Sequence, residues 1–152
     1  MAKFENKADL IAWVKQNTET KEERYARIKE YWRTRGPFKD HNDIPDLPRV
    51  DKKEWKEFYI PRIIELGGIP KKDLIVGEYY IGDHRCTNIG RWNGTAFEYW
   101  KWEFFPIEDE CNHFEDDDGF ALFVPICIGT KEEFDKRGYD AWLKEKKKNE
   151  NI

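Results

Sequence analysis

Seven carboxylates crowd eleven positions: Glu108, Asp109, Glu110, Glu115, Asp116, Asp117 and Asp118. They bracket His113 and end at Gly119, just ahead of an apolar stretch. Three kinds of chemistry suit such a run. A solvated acidic loop keeps a sheet edge from pairing with other chains. A docking surface of clustered carboxylates speeds encounter with Lys- and Arg-rich partners and imitates nucleic-acid phosphates. A divalent-cation site is the third, although Asp-Asp-Asp-Gly lacks the spaced ligand pattern of an EF-hand loop.

Two short pairs set histidine beside cysteine: His84-Arg85-Cys86 and Cys111-Asn112-His113. Each puts both side chains on one side of an extended strand. Two such pairs facing each other make a tetrahedral zinc site from His84, Cys86, Cys111 and His113. The spacing is not that of a zinc finger, and the plain alternative is partly buried thiols with surface imidazoles. His84 and His113 beside carboxylates also suit a small metal-dependent or His–carboxylate hydrolase, in which the pair activates water. No Gly-x-Ser-x-Gly, P-loop or His-Glu-x-x-His pattern accompanies them. The expectation is therefore no cofactor, with zinc as the one candidate, and no assigned catalytic residue.

Aromatic residues make up 16 % of the chain, with seven Trp, more than one face of a small sheet needs. Trp92, Trp100 and Trp102 are candidate exposed anchors for a partner protein, since Trp and Tyr dominate interface hot spots. With Arg85, Arg91 and Lys101 nearby, the same aromatic face suits stacking on a nucleotide base, which makes a nucleotide-sequestering module a further alternative.

These residues need elements to hold them. The first seventy residues read as helices. Asn6 caps one running to about Asn17, with Leu10, Trp13 and Val14 on one face. Thr20-Lys21-Glu22-Glu23 is a capping box for a second, with Tyr25, Ile28 and Trp32 at helical spacing and Gly36-Pro37 at its end. A Pro-containing loop follows to Val50. Asp51 opens a third helix that Pro61 interrupts and Gly67-Gly68 closes.

From Leu74 the pattern turns to strands. Leu74–Ile81 is β-branched and aromatic. Asn93-Gly94 predicts a two-residue type I′ hairpin between strands over about Thr87–Trp92 and Thr95–Phe105. Phe120–Ile128, apolar on both faces, reads as a central strand with Cys127 in the core. Thr130-Lys131-Glu132-Glu133 starts a C-terminal helix that breaks at Gly138 and resumes from Asp140 to Trp142.

The expected architecture is α+β. N-terminal helices pack on a small antiparallel sheet or SH3-like barrel, followed by a C-terminal helix. At 152 residues, one domain spans 1–152. Its helical part is 1–70, its β part 74–129, its C-terminal helix 130–143 and its solvated tail 144–152. Charged residues reach 38 %, but the aromatic content argues against disorder. The net charge of −4 leaves no basic footprint, so direct nucleic-acid binding is not expected. Three cysteines argue against a disulfide framework. The absence of a long apolar run and of a signal-like N-terminus predicts a cytoplasmic protein that does not enter membranes.

Gly77-Glu78-Tyr79-Tyr80-Ile81-Gly82, Arg85-Cys86-Thr87-Asn88, Arg91-Trp92, Phe97-Glu98-Tyr99-Trp100, Glu115-Asp116-Asp117-Asp118-Gly119-Phe120 and Phe123-Val124-Pro125 form a series. It resembles small uncharacterised bacteriophage and prophage accessory proteins, over about residues 77–125. Those carry a Cys-Arg-Asn-like segment, an Arg-Trp hairpin and an acidic turn before a Phe-x-Pro strand. The order Arg85-Cys86-Thr87-Asn88 departs from that segment. The resemblance implies a phage origin, a setting in the host cytoplasm and action by binding a host protein. The sequence-level expectation is a binder that blocks a host protein with a basic surface, a host-defence effector such as a CRISPR nuclease included. Glu108–Asp118 would dock it and the exposed aromatics would anchor it.

Overall fold

The structure, a computed structural model, describes residues 5–102, 106–116 and 122–138. The chain divides into two compact units, Met1–Arg35 and Gly36–Ile152.

The first unit holds two helices, α1 (Lys7–Asn17) and α2 (Lys21–Thr34). Both start where a short polar side chain replaces the missing helical acceptor: Asn6 Oδ1 accepts the Asp9 amide at 2.9 Å and Thr20 Oγ1 the Glu23 amide at 3.1 Å. Trp32 is buried, whereas Leu10, Ile11, Trp13 and Val14 are exposed.

In the second unit, Asp51 caps a helix with three parts: α3 (Lys52–Glu54), a π turn (Trp55–Tyr59) and α4 (Ile60–Leu66). The expected interruption at Pro61 takes the form of the π turn. Proline lacks an amide and crowds the preceding turn, and the wider winding, with the Ile60 amide bonding the Trp55 carbonyl, relieves both. Gly67, at φ 127°, ends the helix, and the Gly68 amide donates to the Ile63 carbonyl at 2.8 Å.

Five strands follow: β1 (Tyr79–Asp83), β2 (Ile89–Trp92), β3 (Phe97–Trp102), β4 (Pro106–Cys111) and β5 (Val124–Ile128). They form one sheet in the order β4-β3-β2-β1-β5, every neighbour antiparallel. The α+β expectation holds. Opposite edges of this sheet also meet. His113 and Phe123 form a parallel bridge, in which the Phe114 amide donates to the Phe123 carbonyl at 3.0 Å and the Phe123 amide to the Asn112 carbonyl at 2.8 Å. The sheet therefore curls until the end of β4 reaches the start of β5.

Four local expectations are corrected. β1 begins at Tyr79 rather than Leu74, because Lys71–Asp73 is a 3₁₀ turn and Ile75 and Val76 form an exposed tip. The hairpin loop has four residues, not two, since Trp92 pairs with Phe97. Asn93 Oδ1 accepts the Thr95 and Ala96 amides at 2.9 and 2.8 Å, so the side chain builds the turn that a two-residue loop would have made from backbone. β5 is an edge strand, not a central one; Pro125 has no amide to give a second neighbour. Cys127, expected in the core, is exposed.

Strand alternation sorts the side chains. Tyr80, Trp92, Phe97, Tyr99, Cys111 and Phe123 form the buried face, with the Phe97 and Phe123 rings 4.4 Å apart. Trp55 ties the helix to this face by donating its indole N–H to the Phe114 carbonyl at 3.0 Å. The other face carries Tyr79, Arg91 and Trp100. A helix over residues 131–138, α5, lies on it, opened by Thr130 Oγ1 accepting the Glu133 amide at 3.1 Å. Its Phe134 ring sits 5.2 Å from Tyr79 and 6.2 Å from Trp100. The expected continuation through Asp140–Trp142 and the tail 144–152 lie outside the described residues.

Candidate functional site: an acidic sheet edge

The acidic run does not stay together. Glu108, Asp109 and Glu110 belong to β4, an edge strand of the sheet. Period-two alternation turns Glu108 and Glu110 outward, both exposed, and Asp109 toward the buried face. The register sets Glu98 opposite Glu110 and Trp100 opposite Glu108. Arg91 interrupts this carboxylate row, 2.8 Å from Glu98 and 3.5 Å from Glu108. Asn93 donates to Glu110 Oε1 at 3.3 Å. Asp109 Oδ2 is 3.5 Å from the Tyr99 hydroxyl, whose ionisation burial pushes well up, so this tyrosine stays protonated.

Glu115 and Asp116, half-buried, are bonded within the chain. Glu115 Oε2 accepts the Lys71 amide at 2.5 Å. Asp116 Oδ1 pairs with Lys71 Nζ at 2.9 Å, and its Oδ2 accepts the His113 amide at 3.2 Å. Both carboxylates thus clamp the 3₁₀ turn to the segment after β4. Nothing in the local sequence marks Lys71 as their partner. Asp117 and Asp118 lie outside the described residues.

His84, Cys86, Cys111 and His113 do not form the tetrahedral set weighed as the zinc alternative. Among the described residues, no three His, Cys, Asp or Glu side chains assemble into a group able to hold a metal ion. His113 is fully buried, not a surface imidazole, and both ring nitrogens are engaged: Nε2 with the Ile69 carbonyl at 2.8 Å and Nδ1 with the Glu115 amide at 3.1 Å. Glu115 Oε2 also lies 3.4 Å from Nδ1. Burial is nevertheless the largest influence and lowers the ring's proton affinity, so it stays neutral and the contact is not an ion pair at neutral pH. His84 is also buried, and its Nδ1 accepts the Cys86 amide at 3.1 Å. Burial pushes the Cys111 thiol far up, away from the thiolate that zinc or nucleophilic chemistry needs.

The aromatic candidates divide as well. Trp92 is 3 % exposed and packs 4.8 Å from Phe97, so it is a core residue rather than an anchor. Trp100 is half-buried behind α5, where a Cβ added at Gly138 would lie 2.6 Å from the indole. Trp102 lies in β3, with its side chain outside the described residues. Phe97 and Tyr99 are buried beside Trp92. Among the described residues, no helix is long and apolar enough to cross a membrane.

Comparison with family models, curated proteins and solved structures finds no match to this chain.

Proposed function

We propose that this chain acts by binding, as a phage accessory protein whose acidic sheet edge docks the basic surface of a host protein and sequesters it. A host-defence effector of the CRISPR type is the partner class put first. The observation that carries the reading is the placement of Glu108 and Glu110 two residues apart, exposed, on the edge strand β4. Carboxylates on a strand have their backbone spacing set in advance, so docking costs side-chain but little backbone entropy. Electrostatic complementarity of this kind acts mainly on association rate and partner choice. The phage setting rests on the sequence resemblance over residues 77–125.

The proposal is tested by affinity capture from a bacterial lysate, with wild type and Glu108→Gln/Glu110→Gln side by side at low and high ionic strength. The expected result is a basic protein retained by wild type at low salt, and lost both in the variant and at high salt. Equal retention by the two proteins would remove β4 from the function.

A further inference from the structure

Away from the acidic edge, a polar network surrounds a histidine that solvent does not reach. We propose that the His113 ring is a proton-operated latch: as a neutral imidazole it keeps the turn Lys71–Asp73 against the segment that follows β4, and a second proton on the ring releases that turn while the Nε2–H bond to the Ile69 carbonyl stays.

The partners fix the tautomer. A backbone amide only donates, so Nδ1, 3.1 Å from the Glu115 amide, must carry a bare lone pair. Nε2 therefore carries the hydrogen and donates it to the Ile69 carbonyl at 2.8 Å. The neutral ring satisfies both neighbours. The imidazolium does not, because its Nδ1–H would point at another N–H. The acceptor within reach is Glu115 Oε2, 3.4 Å away, and that oxygen already accepts the Lys71 amide at 2.5 Å. That oxygen has a second lone pair, so the release comes from geometry: the new Nδ1–H pushes off the Glu115 amide that faces it and pulls the carboxylate inward, and in the latch this movement lengthens the bond to the Lys71 amide. Lys71 keeps its ammonium contact to Asp116 at 2.9 Å but loses its backbone anchor.

Among the described residues, the charged groups that face the ring are Glu115, Asp116 and Lys71. The carboxylates favour the protonated form, while Lys71 and burial oppose it, burial most strongly. Three aromatic rings also pack near it, Trp92, Phe97 and Phe114, with ring centroids 6.4, 6.1 and 4.2 Å away. A proton arriving there meets an environment that resists charge, and the segment gives way sooner than the sheet. The released piece is the turn Lys71–Asp73 leading to the exposed Ile75–Val76 tip, which the Ile75 amide still ties to the Tyr80 hydroxyl at 2.8 Å. The strand ladders are not required to break.

The test is nitrogen-15 NMR of the full chain from about pH 8 to about pH 5, a range spanning the ordinary imidazole value. The His113 ring is expected to titrate below that value. The Lys71 and Glu115 amides should shift with the same midpoint, and their protection from hydrogen exchange, taken relative to the intrinsic rate at each pH, should fall roughly tenfold while β2 and β3 stay protected. Glu115→Gln keeps an acceptor for Lys71 but removes a carboxylate that favours the charged ring, so the midpoint should move lower. His113→Gln should abolish the step; if that variant does not fold, Glu115→Gln decides alone. The latch is overturned if the ring does not titrate in this range, or if it titrates without moving Lys71 and Glu115. It is also overturned if those amides open only together with the strands, or if Glu115→Gln leaves the midpoint in place.

Discussion

Trp55 and His113 show how single polar atoms decide this fold. Trp55 is buried, and its one N–H reaches the Phe114 carbonyl across the helix–sheet boundary. Trp55→Phe keeps an aromatic ring but leaves that carbonyl without its donor. Urea unfolding should show a loss of about 1–3 kcal/mol, the cost of an unsatisfied buried group. His113 gives stability a pH dependence whose sign follows from burial. Its folded value lies below the ordinary 6.5, so the unfolded chain takes up the proton first as pH falls. The associated stability is fully present above pH 6.5 and is lost as pH drops through that value toward the folded one. Denaturant midpoints measured between about pH 7.5 and about pH 5 should therefore fall toward acid. A flat profile would contradict the neutral buried ring. Sequence alone does not separate Glu115 and Asp116 from Glu108 and Glu110, because what distinguishes them is Lys71, 44 residues from Glu115 in the chain. Composition announces that charges cluster; only tertiary pairing says which are already taken.

Among the elements, local chemistry is readable from sequence and long-range pairing is not. The caps at Asn6, Thr20, Asp51 and Thr130 act within three residues, so their side chains announce the helix starts. The Asn93-Gly94 hairpin is likewise visible, although its loop length depends on how Asn93 uses its side-chain carbonyl. The place of β5 in the sheet depends on a partner more than forty positions away, and the one local hint is Pro125. Where β5 meets β1, the register shifts between Ile81 and Gly82, and a Cβ built on Gly82 would run into the Val124 carbonyl oxygen. Backbone faces it there, so little can give. Gly82→Ala should destabilise the protein by about 1–3 kcal/mol through overpacking, read as a lower denaturation midpoint. An unchanged midpoint would mean that β5 does not press on β1 at that point.

For the molecule as a whole, net charge says little about docking. The excess of acidic over basic residues is 31 against 27, and what matters is where the carboxylates stand. Glu98, Glu108 and Glu110 gather on one side of the sheet with Arg91 among them, and Glu108 and Glu110 continue to its edge. Removing the charge of Glu108 and Glu110 should cost under about 1 kcal/mol of stability, since exposed pairs contribute little. The most direct test of the binding account is the association rate between this chain and the protein it captures, for wild type and for Glu108→Gln/Glu110→Gln, across a series of ionic strengths. The account predicts a variant that melts like wild type yet associates roughly tenfold more slowly at low salt, with the two rates converging as salt rises. Equal rates at every ionic strength, with the fold intact, would contradict it.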